Sequence, residues 1–236
     1  MGVGAFYGWR VAAPHAPWKL LGDCVVGLAR RPRGGALPDG LRPLVGPAVV
    51  IAARYQESPV GPYSEMVVAE PARLGLRPGL CITTSVVDEA DARVGGRLNW
   101  GFPRELGTLL WDRDGEERQL KWVERGIVVR GQRSGPVLPL LIPMRNLQRR
   151  GDGPVVIPAR VRGRGHVARI EVELDDNDPL VWLAGSHRGL VVDGLHFTLD
   201  PARLPAGLTS TLRAPLTAPE PAMSGAEYAV GSATCG

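Results

Sequence analysis

Apolar residues in this chain fall in short runs broken by glycine and proline, and the runs read as strands. Segments 23–28, 48–52, 80–87, 126–129 and 155–157 are rich in β-branched residues and bounded by turn formers. Residues 166–174 place Val167, Ile170, Val172 and Leu174 at mostly alternating positions, the pattern of a half-buried strand. Two further runs, 189–192 and 196–199, flank Asp193-Gly194, which predicts a hairpin turn; Gly163-Arg164-Gly165 predicts another. Only 88–94 reads as a helix, with acidic residues in its first turn and Gly95 and Gly96 just after it. Many short strands with close turn spacing predict a mostly β, mostly antiparallel barrel or sandwich. Residues 1–214 form one expected domain, and the Pro/Ala/Gly/Ser-rich stretch 215–236 reads as a loose tail.

Charge changes the picture little. Twenty-eight basic residues face 24 acidic ones for a net charge of +4, and the signs are interleaved, as in 112–118 (DRDGEER). The densest basic stretch, Arg160 to Arg164, falls at an expected turn and has no aromatics interleaved, so it lacks the stacking platform of a nucleic-acid binder. No apolar run is long enough to span a membrane. Cys24, Cys81 and Cys235 lack CxxC spacing, which argues against a disulfide framework or zinc site and fits a reducing cytosol. The first residues lack a basic start followed by an apolar stretch, so a cytoplasmic protein is expected. His15, His166, His187 and His196 show no metal-ligand spacing. His187 and His196 would face each other across the expected hairpin, but a pair without a third ligand carries no metal site. No phosphate loop, nucleotide fingerprint or Ser-His-Asp pattern occurs, so neither metal nor cofactor is expected.

Lysine is the informative scarcity. Only Lys19 and Lys121 occur; the other basic residues are arginines, which stay protonated and form imines poorly. Lys121 alternates with Leu120 and Trp122, which places it on the outer face of a strand.

Two motifs then carry a family likeness. The segment 55–65 (YQESPVGPYSE) resembles the glycine-aromatic-x-glutamate stretch of the acetoacetate decarboxylase superfamily, in which a loop brings a carboxylate to the pocket. The segment 96–107 (GRLNWGFPRELG) is similar to that superfamily's glycine-arginine-glutamate, aromatic-proline-lysine-lysine-leucine-glycine block. The Asp88 to Ala92 run and 16–20 (APWKL) also fit, so the resemblance spans 14–200 and is strongest over 55–107. It implies a closed antiparallel β-barrel with a few short helices, a small-molecule substrate and a homo-oligomer.

The departures matter as much. Where the resemblance expects a Schiff-base lysine and its lysine neighbour, this chain has Arg104 and Glu105. The lowered lysine pKa of acetoacetate decarboxylase is itself a standard example of nucleophile tuning, and an arginine cannot reproduce it. A second expected glutamate falls on Val50, and the glutamate after glycine-arginine is Leu98. The resemblance therefore leaves Glu65 and Arg104 as candidate catalytic residues: Glu65 to move a proton, Arg104 to hold a carboxylate or enolate. Tyr63, Arg97, Asn99, Trp100 and Phe102 are candidate substrate-binding residues, although core packing would explain the aromatics and backbone anchoring would explain Arg97. Two readings stay open. One is an enzyme acting without an imine on an oxo acid or polyketide-like carbonyl compound, as a decarboxylase or other carbon–carbon lyase, or as a dehydratase or cyclase. The other is a non-catalytic protein that binds a small molecule in the same pocket. Glu65 and Arg104 converging on an open cavity favour the first, and a closed ion pair filling it favours the second.

Overall fold

The computed structural model describes residues 13–30, 37–151 and 153–205; the expected tail at 215–236 lies outside them. One eleven-stranded, mostly antiparallel sheet dominates. Its strands are β1 (Trp18–Ala29), β2 (Arg42–Pro43), β3 (Ala48–Glu57), β4 (Tyr63–Leu74), β5 (Arg77–Val87), β6 (Arg104–Leu106), β7 (Leu109–Asp114), β8 (Glu117–Trp122), β9 (Ile127–Arg150), β10 (Gly153–Glu173) and β11 (Gly185–Leu199). The strand order is β6-β5-β4-β3-β1-β11-β10-β9-β8-β7, with β2 beside β4. The short β6 runs parallel to β5, and β5 also bridges β9 at Leu80 and Asn146, two strands far apart in that order. Among the described residues, no helix is long and apolar enough to cross a membrane.

Both faces of the central strands are buried, which explains their near-continuous apolar character. Leu20, Cys24, Ala53, Tyr55, Tyr63, Val67 and Ala69 enter one core. Their alternates Val25, Val50, Ala52, Met66 and Val68 enter another. Val50, to which the resemblance assigns a second pocket carboxylate, thus lies in the second core, away from Glu65's face.

The helix α1 (Ala90–Trp100) starts two residues later than 88–94 and ends six later. Gly95 and Gly96 do not stop it. They are holes in its surface: a β-carbon on Gly95 would lie 2.4 Å from the Trp18 ring, and one on Gly96 would lie 2.4 Å from Arg104 Cδ. The stop is Gly101, left-handed at φ 74°, whose N–H donates to the Arg97 carbonyl at 2.9 Å. Glu89 caps the other end by accepting from the Asp91 N–H.

Both expected hairpin turns are corrected. Gly163 to Gly165 lie inside β10, and Asp193-Gly194 lie inside β11. There β11 carries a bulge, since Gly22 pairs with Leu195 while Cys24 pairs with Val192. The Gly194 N–H, at a φ of 59°, donates to Asp23 Oδ1 at 3.0 Å. An Asp-Gly pair serves a bulge as well as a turn, because both need one left-handed residue. His187 and His196 therefore sit on one strand, about 30 Å apart at the usual rise per residue, and do not face each other. His187 contacts the Leu183 carbonyl through Nε2.

Candidate functional site

The site is assembled from β4, β5 and β6, whose registers bring three polar side chains to one face. Val67 pairs with Ser85, and Ser85 pairs with Arg104. Glu65, two residues before Val67, shares that face. It therefore stands on a strand, near its start, and not on the loop the resemblance implied.

Arg104 is 1% exposed and Glu65 5%. They form a two-armed pair: Arg104 Nε donates to Glu65 Oε1 at 3.1 Å and Nη2 donates to Oε2 at 3.1 Å. Ser85 Oγ donates to Oε1 at 3.0 Å, and Arg104 Nη1 donates to the Ala92 carbonyl at 2.7 Å. A buried ion pair repays its desolvation only when its remaining donors and acceptors are satisfied, and Ser85 and Ala92 supply part of that. Burial is the strongest single influence and opposes the guanidinium charge, but Glu65 together with Tyr63 and Tyr55 outweighs it and holds Arg104 above its ordinary pKa. Three hydrogen bonds use the guanidinium, which leaves one N–H on each terminal nitrogen.

Aromatic rings surround the cation. Its Cζ lies 5.6 Å from the Phe102 centroid, 5.8 Å from Tyr63 and 6.0 Å from Trp18, within cation–π range. Burial pushes both the Tyr55 and Tyr63 phenols well above their ordinary range, so both are neutral. The Tyr63 hydroxyl is close enough to feel the guanidinium, yet it makes no well-formed hydrogen bond with any described group.

Glu65 and Arg104 also stand on the wall of a cavity of about 50 Å³. One water needs roughly 10–15 Å³ by the same measure, so there is room for a few waters or a small organic molecule. Asn146 and Tyr55, with its phenol, are further wall residues with polar groups; Ala53, Val67, Phe102 and Leu199 are among the apolar ones. Half-buried Ile51, Leu80, Met144 and Phe197 complete the lining. Both features named as discriminating are thus present: an ion pair with two arms closed, and a space beside it that the pair does not fill.

The other predicted residues divide. Phe102 is a cavity wall. Tyr63 packs beside Arg104, while Tyr55, whose ring centroid is 5.0 Å from that of Tyr63, reaches the wall. Trp100 is fully buried, stacks on Phe102 and donates from Nε1 to the Asp200 carbonyl at 2.9 Å. Arg97 is exposed and donates from Nε to the Arg104 carbonyl at 2.8 Å, which anchors β6 to the helix. Asn99 holds the N-terminal segment, donating to the Pro14 carbonyl and accepting from the Ala16 N–H. Sequence reading missed Tyr55, Ser85 and Asn146. Ser85 and Tyr55 lay inside segments already singled out, but only strand register tells which face each takes. Lys19 and Lys121 are both exposed. No group of three metal-ligating side chains occurs among the described residues.

Comparison with known proteins follows the same lines. The family profile described as acetoacetate decarboxylase matches residues 34–130. No curated protein matches. Among solved structures, the enduracididine biosynthesis enzyme MppR in complex with pyruvate superposes with a TM-score of 0.64 at 17% identity, over 85% of this chain and 94% of that one. An acetoacetate decarboxylase-like enzyme from Sphingomonas wittichii RW1 gives 0.63 at 16% identity, over 85% and 98%. The acetoacetate decarboxylase of Legionella pneumophila subsp. pneumophila str. Philadelphia 1 gives 0.61 at 15% identity, over 86% and 97%. At these identities the likeness is one of fold, and the profile covers the stretch that holds Glu65 and Arg104: this chain has an acetoacetate decarboxylase-like fold.

Proposed function

We propose that this protein is an imine-free enzyme acting on an oxo acid or polyketide-like carbonyl compound, with Arg104 standing where acetoacetate decarboxylases carry the Schiff-base lysine. The observation that carries the reading is the position of the Glu65–Arg104 pair at the wall of a mostly apolar cavity. A charged guanidinium does not attack a carbonyl, and both lysines are exposed, so the chemistry is electrostatic. Arg104 offers its two remaining N–H groups to a carbonyl or enolate oxygen, where a low-dielectric wall strengthens them. Glu65 takes a proton from the carbon next to that carbonyl and returns it elsewhere on the substrate. Such a pair serves isomerisation, dehydration or cyclisation; loss of carbon dioxide from a β-oxo acid uses the arginine alone to stabilise the enolate. The β5–β9 bridge supports a sheet that closes on itself as a barrel around this cavity. The reading includes assembly as a homo-oligomer in the cytoplasm, with a small molecule as the binding partner.

The closed arms of the ion pair favour a second reading, a binding protein without chemistry. An NMR time course separates the two. The protein is incubated with α-oxo acids, β-oxo acids and short diketones, beside Glu65→Gln. Consumption of a compound that stops in the variant supports the enzyme; binding without consumption across the panel supports the second reading.

A further inference from the structure

We infer that the cavity takes an uncharged β-oxo compound bearing a second neutral hydrogen-bonding group, and that Asn146 binds that group. This rests on the reading of the cavity as a ligand site and narrows its ligand from oxo acids to neutral carbonyl compounds.

Asn146 stands on a stiff part of the wall. Its β9 backbone pairs with Ile157 on one side and bridges Leu80 on the other. Met144 and Asn146 both line the cavity, whereas the intervening Arg145 is exposed and Leu147 enters a separate core. That period of two directs the Asn146 side chain inward. It is 4% exposed, and the surface it keeps belongs to the cavity lining. Gln148, the next residue on that face, is off the cavity wall, and its amide donates to the Ile82 carbonyl at 2.8 Å. A single amide on a mostly apolar cavity wall is placed to orient a ligand. An amide presents a donor and an acceptor together, so it matches a carboxamide or hydroxyl.

Charge selects against an acid. Among the described residues, the one cation on the wall is Arg104, and Glu65 already neutralises it through both arms. A carboxylate ligand would bring an unmatched negative charge into an apolar chamber beside Glu65, which must then take up a proton or give up its arginine. A neutral ligand needs neither. Its carbonyl oxygen meets the guanidinium N–H groups, and its second polar group meets Asn146.

The test is binding by ligand-observed NMR titration with three probes of similar shape. Acetoacetamide is neutral with two polar groups, acetoacetate carries the charge, and 2-pentanone lacks the second group. Wild-type protein is expected to bind acetoacetamide at least about tenfold more tightly than either of the others. Asn146→Leu, and independently Asn146→Ala, should lower acetoacetamide to the level of 2-pentanone while leaving 2-pentanone binding intact, which also reports that the variants are folded. Acetoacetate binding as tightly as acetoacetamide, a preference that survives both variants, or no binding of any probe overturns the inference. Because the readout is binding, absence of turnover sinks the enzymatic reading without touching this one. Consumption of acetoacetate as the preferred ligand does the reverse.

Discussion

The Arg104 side chain occupies the space that a β-carbon on Gly96 would fill, with Cδ 2.4 Å and Nε and Nη1 2.7 Å from that position. Nη1 in turn bonds the Ala92 carbonyl of the same helix. The guanidinium is thus pressed against helix backbone on one side and held by Glu65 on the other. A helix of ordinary side chains would exclude it.

Gly96→Ala should therefore act on Arg104 before it acts on the helix. Alanine is the better helix former by up to about 1 kcal/mol, so an isolated helix would gain. Here overpacking is expected to win, with a net loss of about 1–3 kcal/mol in urea unfolding and loss of ligand binding. A stabilised variant that binds normally would show that Arg104 can move aside freely.

Removing one member of the ion pair should cost far more than removing both. Glu65→Leu or Arg104→Met leaves a buried charge alone, an effect of about 3–5 kcal/mol, whereas the double variant should recover most of the loss. Denaturant unfolding of the four proteins measures the coupling. Additive losses would mean that the two side chains are independently solvated.

Stability should fall as pH rises above 9. Burial first, and Asp23 second, push the Cys24 thiol from its ordinary 9.0 up to about 12. A group whose pKa is raised on folding contributes stability that is present below 9 and is lost as pH climbs toward 12, because the unfolded chain releases the proton first. The Tyr55 and Tyr63 phenols, also raised by burial, act in the same direction at higher pH. Unfolding midpoints from pH 8 to 11 should decline in the wild type and decline less in Cys24→Ala, whatever that variant's starting stability. Equal slopes in the two proteins would remove Cys24 as a source.

Treatment with acetoacetate and sodium borohydride should leave the intact mass unchanged. Arg104 stays charged, and Lys19 and Lys121 are exposed and not on the cavity wall. A reduced adduct mapped to either lysine by peptide mass would return imine chemistry to the enzyme.

Much of this was visible in the residues. The runs at 48–52 and 80–87 lie within β3 and β5, because β-branched residues on a sheet buried on both faces leave a continuous apolar signature. Glu65 and Arg104 stood out by their place in the motifs, and they do meet. The end of α1 was not visible, since Gly95-Gly96 looks the same whether it stops a helix or admits a neighbour's side chain. The stretch after 129 was also hard to read: Pro136, Pro139 and Pro143 interrupt β9, yet they are exposed and the strand continues to Asn146 and beyond.

The sequence by itself determined a strand-rich chain with two lysines, a carboxylate and an arginine in one family-like pattern, and no metal-type spacing. Those are properties of composition and of neighbours along the chain. Tertiary structure decided that Arg104 closes on Glu65, that Ser85 joins them, and that Asn146 faces the same cavity. It also decided that Asp193-Gly194 makes a bulge and not a turn. The physical reason is common to all of these. Each depends on the register between strands remote in sequence, and a shift of one residue would send every one of these side chains to the opposite face.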